Sequence, residues 1–331
     1  MTKTRTLAVA ALAAATALGL AACGTTESPD DASATGGSGS GGGSITLTDG
    51  AGTELTLDGP ATTVVGTEWN VVGDLVSLGV EPVGVADVEG YQAWSAAVPL
   101  EGEPTDIGTR GEPSLDTVAS LAPDLIVATT DLPADAVAQL RDIAPVLQVE
   151  SADASAQVDR MIGNLELIAQ ATGTEDEAEQ VVQEFRDTVE DGAQQLEEAG
   201  MDGTPVAFAD AFDDAGQVSV RPYVAGSLVG DVNTELGLVD PWDLEGDAAY
   251  GLASTDVEGL TALPDDTRLV YAANDVLGDP FADTLADNAV WQSLPFVQDD
   301  HVVRLTDGIW MFGGPASMTA YVEALVPALT K

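Results

Sequence analysis

The sequence is poor in cysteine, histidine and basic side chains. Its 331 residues include 1 Cys, 1 His and 10 Lys and Arg, against 56 Asp and Glu. A single cysteine excludes disulfides within the chain, so a packed apolar core must hold the fold. A single histidine argues against a zinc site, which normally needs several such ligands. The net charge of −46 repels nucleic acid and anionic lipid head groups, which makes both poor partners.

The one cysteine stands where a bacterial lipid-attachment signal requires it. Two basic residues precede an apolar run over residues 7–20, which is too short to span a bilayer, and Cys23 follows Leu-Ala-Ala. This arrangement resembles a lipobox. We predict a signal peptide over residues 1–22, lipidation of Cys23 and a flexible Gly/Ser-rich linker over residues 23–44. The mature protein is then expected at the cell membrane, lipid-anchored on its extracytoplasmic face.

The shortage of histidine also bears on catalysis. The single histidine, His301, follows two aspartates just before a predicted strand, so a histidine-dependent triad would have to use a surface turn. The chain has no Walker loop and no dinucleotide fingerprint, and no nucleophile elbow occurs outside the Gly/Ser-rich linker. We therefore predict that the protein is not an enzyme. The abundance of acidic pairs leaves a lipid-anchored, carboxylate-dependent hydrolase as the alternative from a different class.

Apolar patterning divides the rest of the chain into three parts. Strands and helices alternate through residues 45–173 and again through residues 201–331, which is typical of helix-covered, mostly parallel sheets. Between them, residues 174–200 have helical spacing and open with a capping-box pattern. This segment predicts a helix about 37 Å long. The predicted fold class is α/β, with two lobes joined by a single long α-helix.

Several segments of these lobes resemble one family of proteins. Residues 108–127 read GTRGEPSLDTVASLAPDLIV, residues 68–70 read EWN, residues 219–223 read SVRPY and residues 307–315 read DGIWMFGGP. Together they resemble the iron–siderophore substrate-binding proteins of ABC importers, including ferric-citrate-like and ferric-hydroxamate-like receptors. The resemblance implies the helical-backbone class of periplasmic binding proteins. That class has two Rossmann-like lobes and a ligand cleft between them.

Two arginines are the first candidates for ligand contact. Arg110 lies in a Gly-rich loop before a predicted helix, and such loops form the crevice of open α/β sheets. Arg221 lies at the end of a predicted strand in the second lobe. A planar guanidinium can donate several hydrogen bonds to carboxylate, catecholate or hydroxamate oxygens. One arginine in each lobe would let the ligand draw the lobes together, although either could instead form an ordinary ion pair.

The few aromatic residues are the next candidates. Those in or beside predicted loops are expected to offer faces for the apolar parts of a ligand, whereas Phe185 and Phe208 lie on apolar faces and are expected in the core. The candidates are Trp69, Tyr91, Trp94, Tyr223, Trp242, Trp310 and Phe312. The resemblance also implies docking to a permease through one surface carboxylate in each lobe. Glu112 fits the first lobe and Glu235 the second, where the register could place Thr234 instead.

The predicted function is capture without chemistry. The resemblance implies a monomer that binds a ferric siderophore and delivers it to an ABC permease driven by a cytoplasmic ATPase. The chelator is expected to hold the iron, with no direct protein ligand and no cofactor. Receptors for haem or cobalamin share this architecture and stay as alternatives, as does an adhesion or scaffold module without a small ligand. A single stiff helix between the lobes predicts a small hinge motion.

Overall fold

An antiparallel hairpin opens residues 43–331, the part of the chain that the computed structural model describes. Strands β1 (Ile45–Thr48) and β2 (Glu54–Leu57) pair along their full length. The Asp49 side chain fixes their turn by accepting hydrogen bonds from the backbone N–H groups of Ala51 and Thr53. The predicted signal peptide, the lipidation site Cys23 and the linker up to residue 42 lie outside the described residues.

The first lobe is built on a five-stranded parallel sheet of order β5-β4-β3-β8-β9. Its strands are β3 (Val64–Gly66), β4 (Gly84–Val85), β5 (Thr105–Asp106), β8 (Leu125–Thr129) and β9 (Val146–Val149). Its helices are α1 (Trp69–Ser77), α2 (Val88–Trp94), α3 (Leu115–Leu121) and α4 (Ala134–Arg141), and a small hairpin joins β6 (Gly108–Thr109) to β7 (Glu112–Pro113). Alternate residues of β8 enter two different apolar clusters, because successive side chains point to opposite faces of a strand.

The second lobe has a four-stranded sheet of order β11-β10-β12-β13. Its strands are β10 (Val206–Asp214), β11 (Gln217–Tyr223), β12 (Arg268–Tyr271) and β13 (Val302–Arg304). Its helices are α7 (Leu228–Glu235), α8 (Ala289–Ser293), α9 (Pro295–Gln298) and α10 (Pro315–Leu329), with a 3₁₀ turn at Gly259–Ala262. Three strands are parallel, but β11 returns antiparallel to β10 through a tight turn, so the predicted mostly parallel arrangement has one antiparallel edge.

Two consecutive helices connect the lobes. Helix α5 (Gln157–Thr172) is followed by α6 (Glu175–Glu198), whose 24 residues span about 36 Å. Helix α6 places Ala178 in the core of the first lobe and Phe185 in the core of the second. Helix α5 does the same, with Leu165 in the first core and Met161 in the second. The predicted α/β fold with two lobes is confirmed, but α5 shares the connecting role that was predicted for a single helix.

Within residues 43–331, every helix is too short or too polar to cross a bilayer.

Candidate functional site

The two lobes meet along the sides of a cleft. On one side, the backbone N–H of Ala97 donates to the carbonyl oxygen of Gly308 at 2.8 Å, and the Asn274 side-chain amide donates to the carbonyl oxygen of Ala93 at 2.7 Å. On the other side, the Tyr250 hydroxyl of the second lobe donates to the Asp131 carboxylate of the first. The space between these contacts is the candidate binding site.

A continuous row of aromatic rings crosses this cleft, and we call it the aromatic strip. Neighbouring ring centroids in the strip are between 4.8 and 6.4 Å apart, within the range of favourable aromatic pairs. The first lobe contributes two of the rings and the second lobe four, so the strip joins the two walls. Its members are Trp69, Trp94, Trp310, Phe312, Tyr223 and Tyr250.

Local structure holds the strip in place. Trp69 is the first residue of α1, and its indole N–H donates to the carbonyl oxygen of Ala86 at 3.2 Å. Trp310 and Phe312 lie in the loop before α10, where they alternate with the buried Ile309 and Met311. The buried residues anchor the segment in the core, so the two aromatic rings face the cleft.

Arg110 lies on the turn of the β6–β7 hairpin and covers the first-lobe end of the strip. Its Cζ atom is 3.9 Å from the Trp69 ring centroid and 5.4 Å from that of Trp310, which places the cation over both rings. Its Nη1 donates to Oε1 of Glu68 at 2.7 Å. The Arg110 side chain keeps 34% of its surface exposed, so it remains accessible to a ligand.

Arg221 occupies the matching position in the second lobe. It pairs directly with Asp210 across the β10–β11 hairpin, and its Nε donates to Oδ1 of that carboxylate at 2.8 Å while its Nη2 donates to Oδ2. The Tyr223 hydroxyl also donates to Asp210, at 3.2 Å. The Arg221 Cζ atom lies 4.9 Å from the ring centroid of the exposed Phe212 and 5.6 Å from that of Phe312.

Burial shapes the electrostatics of this second pair. Asp210 is only 7% exposed, and burial raises the pKa of its carboxyl group, although the hydrogen bonds from Arg221 and Tyr223 act in the opposite direction. Burial also raises the pKa of Tyr223 well above its ordinary value, and the nearby Asp210 carboxylate adds to that rise. Tyr223 is therefore a neutral hydrogen-bond donor at the back of the site.

A narrow cavity of about 30 Å³ lies beneath the strip, between α1, α5 and the loop that precedes α10. Asp74 of α1 reaches it, is 3% exposed and has one carboxylate oxygen without a hydrogen-bond partner among the described residues. Burial raises the pKa of Asp74 well above its ordinary value. The polar residues around the cavity are Asn70, Asp74, Ser151, Gln157, Arg160 and Asn164.

Seven of the nine predicted ligand residues come together in the cleft. They are Trp69, Trp94, Arg110, Arg221, Tyr223, Trp310 and Phe312. Two others do not join them. Tyr91 has no exposed surface and its hydroxyl donates to the carbonyl oxygen of Val98 at 2.6 Å, whereas Trp242 is 9% exposed and packs in the second-lobe core. Loop position suggested these two rings, but both belong to the packed interior.

The sequence reasoning missed the groups that pair with the candidates. Glu68 and Asp210 hold the two arginines, and Asp131 accepts from Tyr250. No feature of the sequence separates these carboxylates from the rest of the 56 acidic residues. Tyr250 had a weak signal, since it lies in a loop and is one of only 5 tyrosines.

The two predicted docking carboxylates are both exposed. Glu112 lies on β7, two residues beyond Arg110, and Glu235 is the last residue of α7. Partial burial raises the pKa of Glu235, with Asp231 and Asp159 adding to the rise and Arg186 opposing it. Thr234, the other residue allowed by the register, donates its hydroxyl to the carbonyl oxygen of Gly230 within α7.

In the part of the chain from residue 43 onward, no three His, Cys, Asp or Glu side chains are arranged to hold a metal ion.

Two α/β lobes with a cleft lined by aromatic rings and arginines form an architecture typical of a receptor for a small ligand. Comparisons with known proteins identify the family. The chain belongs to the periplasmic binding protein family, whose model matches residues 64–308. It is 28% identical over 257 residues to the Fe(3+)-citrate-binding protein YfmC of Bacillus subtilis, covering 77% of this chain and 76% of YfmC. It is 25% identical over 271 residues to the iron(3+)-hydroxamate-binding protein FhuD of Escherichia coli, covering 80% and 86%.

Solved structures share the fold. The siderophore-binding protein FhuD from Vibrio cholerae, crystallised with Fe3+–Desferal, superimposes with a TM-score of 0.73 at 24% identity. That match covers 81% of this chain and 98% of the other. The likeness extends over both lobes and supports the fold described above.

Proposed function

We propose that this protein captures a ferric siderophore in the cleft between its lobes and delivers it to an ABC importer. The observation that carries the proposal is the aromatic strip with a guanidinium group over each end, Arg110 from one lobe and Arg221 from the other. Two of the relatives that match this chain bind ferric citrate and ferric hydroxamate, as their names state. Both observations point to an iron chelate as the ligand.

The chemistry of the cleft suits a chelate rather than a bare ion. A hexadentate chelator fills the coordination sphere of iron, so the receptor has to recognise the outside of the complex. The aromatic faces can stack on its apolar parts, and the guanidinium N–H groups can donate to its outward oxygens. The protein binds and orients the complex and performs no reaction on it.

Anchoring and docking complete the proposal. Lipidation of Cys23 would tether the protein to the outer face of the cell membrane, and the Gly/Ser linker would give the lobes reach. Glu112 and Glu235 would each meet an arginine of the permease, one for each lobe of a monomer. Because exposed ion pairs contribute only about 0–1 kcal/mol each, they would fix orientation more than affinity. Retention of the Cys23→Ser variant in the membrane fraction would contradict the anchor.

Tryptophan fluorescence provides the test of ligand capture, since Trp69, Trp94 and Trp310 lie in the strip. We expect quenching by ferric siderophores and none at matched concentrations of haem or cobalamin. The Arg110→Ala variant should bind about tenfold more weakly, equivalent to about 1.4 kcal/mol, because it loses a cation and its donors. Its unfolding midpoint should be nearly unchanged.

The matched control is Arg186→Ala, which removes the same charge from an exposed position on α6. It should bind as the unmodified protein does. Equal affinities for the Arg110→Ala variant and this control would reject the cleft assignment. Failure of every ferric siderophore to bind would reject the proposed function itself.

A further inference from the structure

Both arginines of the cleft already have carboxylate partners. Arg110 is paired with Glu68, and Arg221 is held in a two-point ion pair by Asp210. The two cations therefore do not give the walls a net positive charge. The ordinary ion pair that the sequence left open for either arginine is therefore present in both lobes.

The second pair is the harder one to separate. Asp210 is buried and accepts hydrogen bonds from both Arg221 and Tyr223. An anionic ligand that drew Arg221 away would leave this carboxylate buried without its counter-ion, which is strongly unfavourable. Arg221 is therefore committed to Asp210, and only its remaining N–H groups can serve a ligand.

Further carboxylates lie at the same cleft. Asp131 accepts from the Tyr250 hydroxyl at the edge of the strip. Burial raises the pKa of Tyr250, and the negative charges of Asp131 and Glu68 raise it further. Asp131 and Glu68 thus place two negative charges near the Tyr250 hydroxyl and make the local potential there negative. No unpaired arginine balances that potential among residues 43–331 around the strip.

The other nearby cations are outnumbered by their partners. Arg160, beside the cavity beneath the strip, is bound by Glu150 and Asp153. Arg304 is shared by three carboxylates, one of which belongs to the segment that leads into Trp310. These three are Asp275, Asp279 and Asp307. The surroundings of the cleft thus carry more negative than positive charge, on a chain whose net charge is −46.

We infer that the cleft takes a ferric chelate whose own net charge is zero or positive, of the ferric tris-hydroxamate class, and discriminates against polyanionic catecholate and citrate complexes. This inference rests on the proposed function and specifies its ligand. A neutral chelate offers acceptor oxygens to the guanidinium N–H groups that the carboxylates leave free, without breaking either ion pair. A positively charged substituent gains from the aromatic faces and the surrounding carboxylates. A polyanion meets like charge on both walls.

A charge series of ferric chelates tests the inference by fluorescence titration. The probes are a linear tris-hydroxamate with a free amine, a neutral cyclic tris-hydroxamate, ferric dicitrate and a trianionic tris-catecholate. Because like-charge contacts are strongly unfavourable, we expect the two hydroxamates to bind roughly 100-fold more tightly than the tris-catecholate at low salt. Added salt should narrow this ratio by screening the carboxylates.

The outcomes separate the two proposals. Equal or tighter binding of the tris-catecholate or the dicitrate complex would overturn the charge preference while leaving siderophore capture intact. Absence of binding by all four probes would overturn siderophore capture and the charge preference with it.

Variants of the partner carboxylates test the stated cause. Glu68→Gln keeps an oxygen that can cap α1 but removes the charge that neutralises Arg110, so it should improve binding of the anionic probes about tenfold relative to the neutral one. Asp210→Asn should act in the same direction at Arg221. The control is Glu103→Gln, an equal charge change at an exposed first-lobe position. The inference fails if the ratio of affinities for the anionic and neutral probes is the same in Glu68→Gln as in Glu103→Gln. This comparison decides the matter whether or not Asp210→Asn folds.

Discussion

Asp74 is the residue whose burial has the plainest thermodynamic consequence. Its carboxyl group lies between α1 and the start of α10, almost without exposure, and one oxygen has no partner in the described part of the chain. Gly314 packs so closely against this oxygen that a β-carbon there would collide with it. Because burial raises the pKa of Asp74, the folded protein holds a proton there at pH values where an exposed aspartate has lost it.

The Asp74→Asn substitution should make stability less dependent on pH. A raised pKa means that the folded state binds more protons than the unfolded state, so the free energy of unfolding falls as pH rises above about 4, the ordinary aspartate pKa. An amide of nearly the same shape does not titrate, so the variant should lose this slope and be the more stable protein at neutral pH. Urea unfolding from about pH 4 to about pH 8 measures both effects.

The exposed Asp266→Asn variant is the control for this prediction. It should retain the slope of the unmodified protein. Parallel pH profiles for Asp74→Asn and the unmodified protein would contradict a proton held by the buried carboxyl group.

Sequence reasoning at this scale found cations and aromatic rings more readily than their partners. Arg110 and Arg221 were identifiable because basic residues are scarce and both lie beside loops. Their partners Glu68 and Asp210 were not, because pairing depends on tertiary position among many equivalent carboxylates. Asp210 lies opposite Arg221 because of the β10–β11 register, which the structure defines and the sequence did not predict.

At the scale of elements, close packing between α6 and α10 depends on a glycine. A β-carbon at Gly192 would lie 2.9 Å from a Val322 methyl group and 3.0 Å from one of Leu236. Gly192 is thus a point at which α6 approaches its neighbours closely. Gly163 of α5 offers the opposite case, since a β-carbon there meets nothing within 4 Å.

The same substitution should therefore have opposite effects in the two helices. Gly192→Ala should lower the free energy of unfolding by about 1–3 kcal/mol, because added volume must displace packed side chains. Gly163→Ala should raise it by up to about 1 kcal/mol, because alanine is the better helix former at an open position. Urea midpoints of the two variants and the unmodified protein decide the matter. Destabilisation by both, or by neither, would disprove the packing argument.

The longest helix could be predicted from the sequence, whereas two very short helices and the direction of one edge strand could not. The predicted segment 174–200 contains α6, Glu175–Glu198, because many apolar residues repeat at helical spacing there. Helices α8 and α9 have five and four residues, too few to establish a period, and went unrecognised. The antiparallel direction of β11 was also missed, since alternation of strands and helices does not reveal which way an edge strand runs.

At the scale of the whole molecule, the dominant feature is mutual repulsion among acidic side chains. With 56 acidic and 10 basic residues, the folded chain concentrates like charge that the unfolded chain spreads out. The few basic residues are largely bound to carboxylates within the described lobes. Charge repulsion therefore opposes the compact state in dilute buffer.

Sodium chloride should consequently stabilise the protein. Raising its concentration from about 0.01 M to about 0.5 M shortens the screening length from about 30 Å to only a few ångströms, so the repulsion weakens more than the short ion pairs do. We expect the thermal midpoint to rise steadily across this range. An equal osmolality of sucrose serves as the uncharged control. A midpoint that falls with salt would mean that the ion pairs, rather than the repulsion, dominate.

The sequence predicted both lobes, but not that two helices connect them. Alternating strands and helices located each sheet, and the long central helix located the connection between them. The part played by α5 could not be read in advance. The apolar spacing of a helix in the sequence is the same whether its buried face packs into one core or into two.

Helices α5 and α6 each place part of their apolar stripe in the first-lobe core and the rest in the second-lobe core. This division limits how the protein can be converted into a sensor. If the chain were cut between α5 and α6, the N-terminal fragment would expose Met161 and Ile162, which pack in the second-lobe core of the intact protein. This fragment would tend to aggregate. Reporter groups for an iron-chelate biosensor therefore belong at the rim of the cleft. Reporters at the rim can detect a change in the distance between the lobes while the chain remains whole and both lobes stay folded.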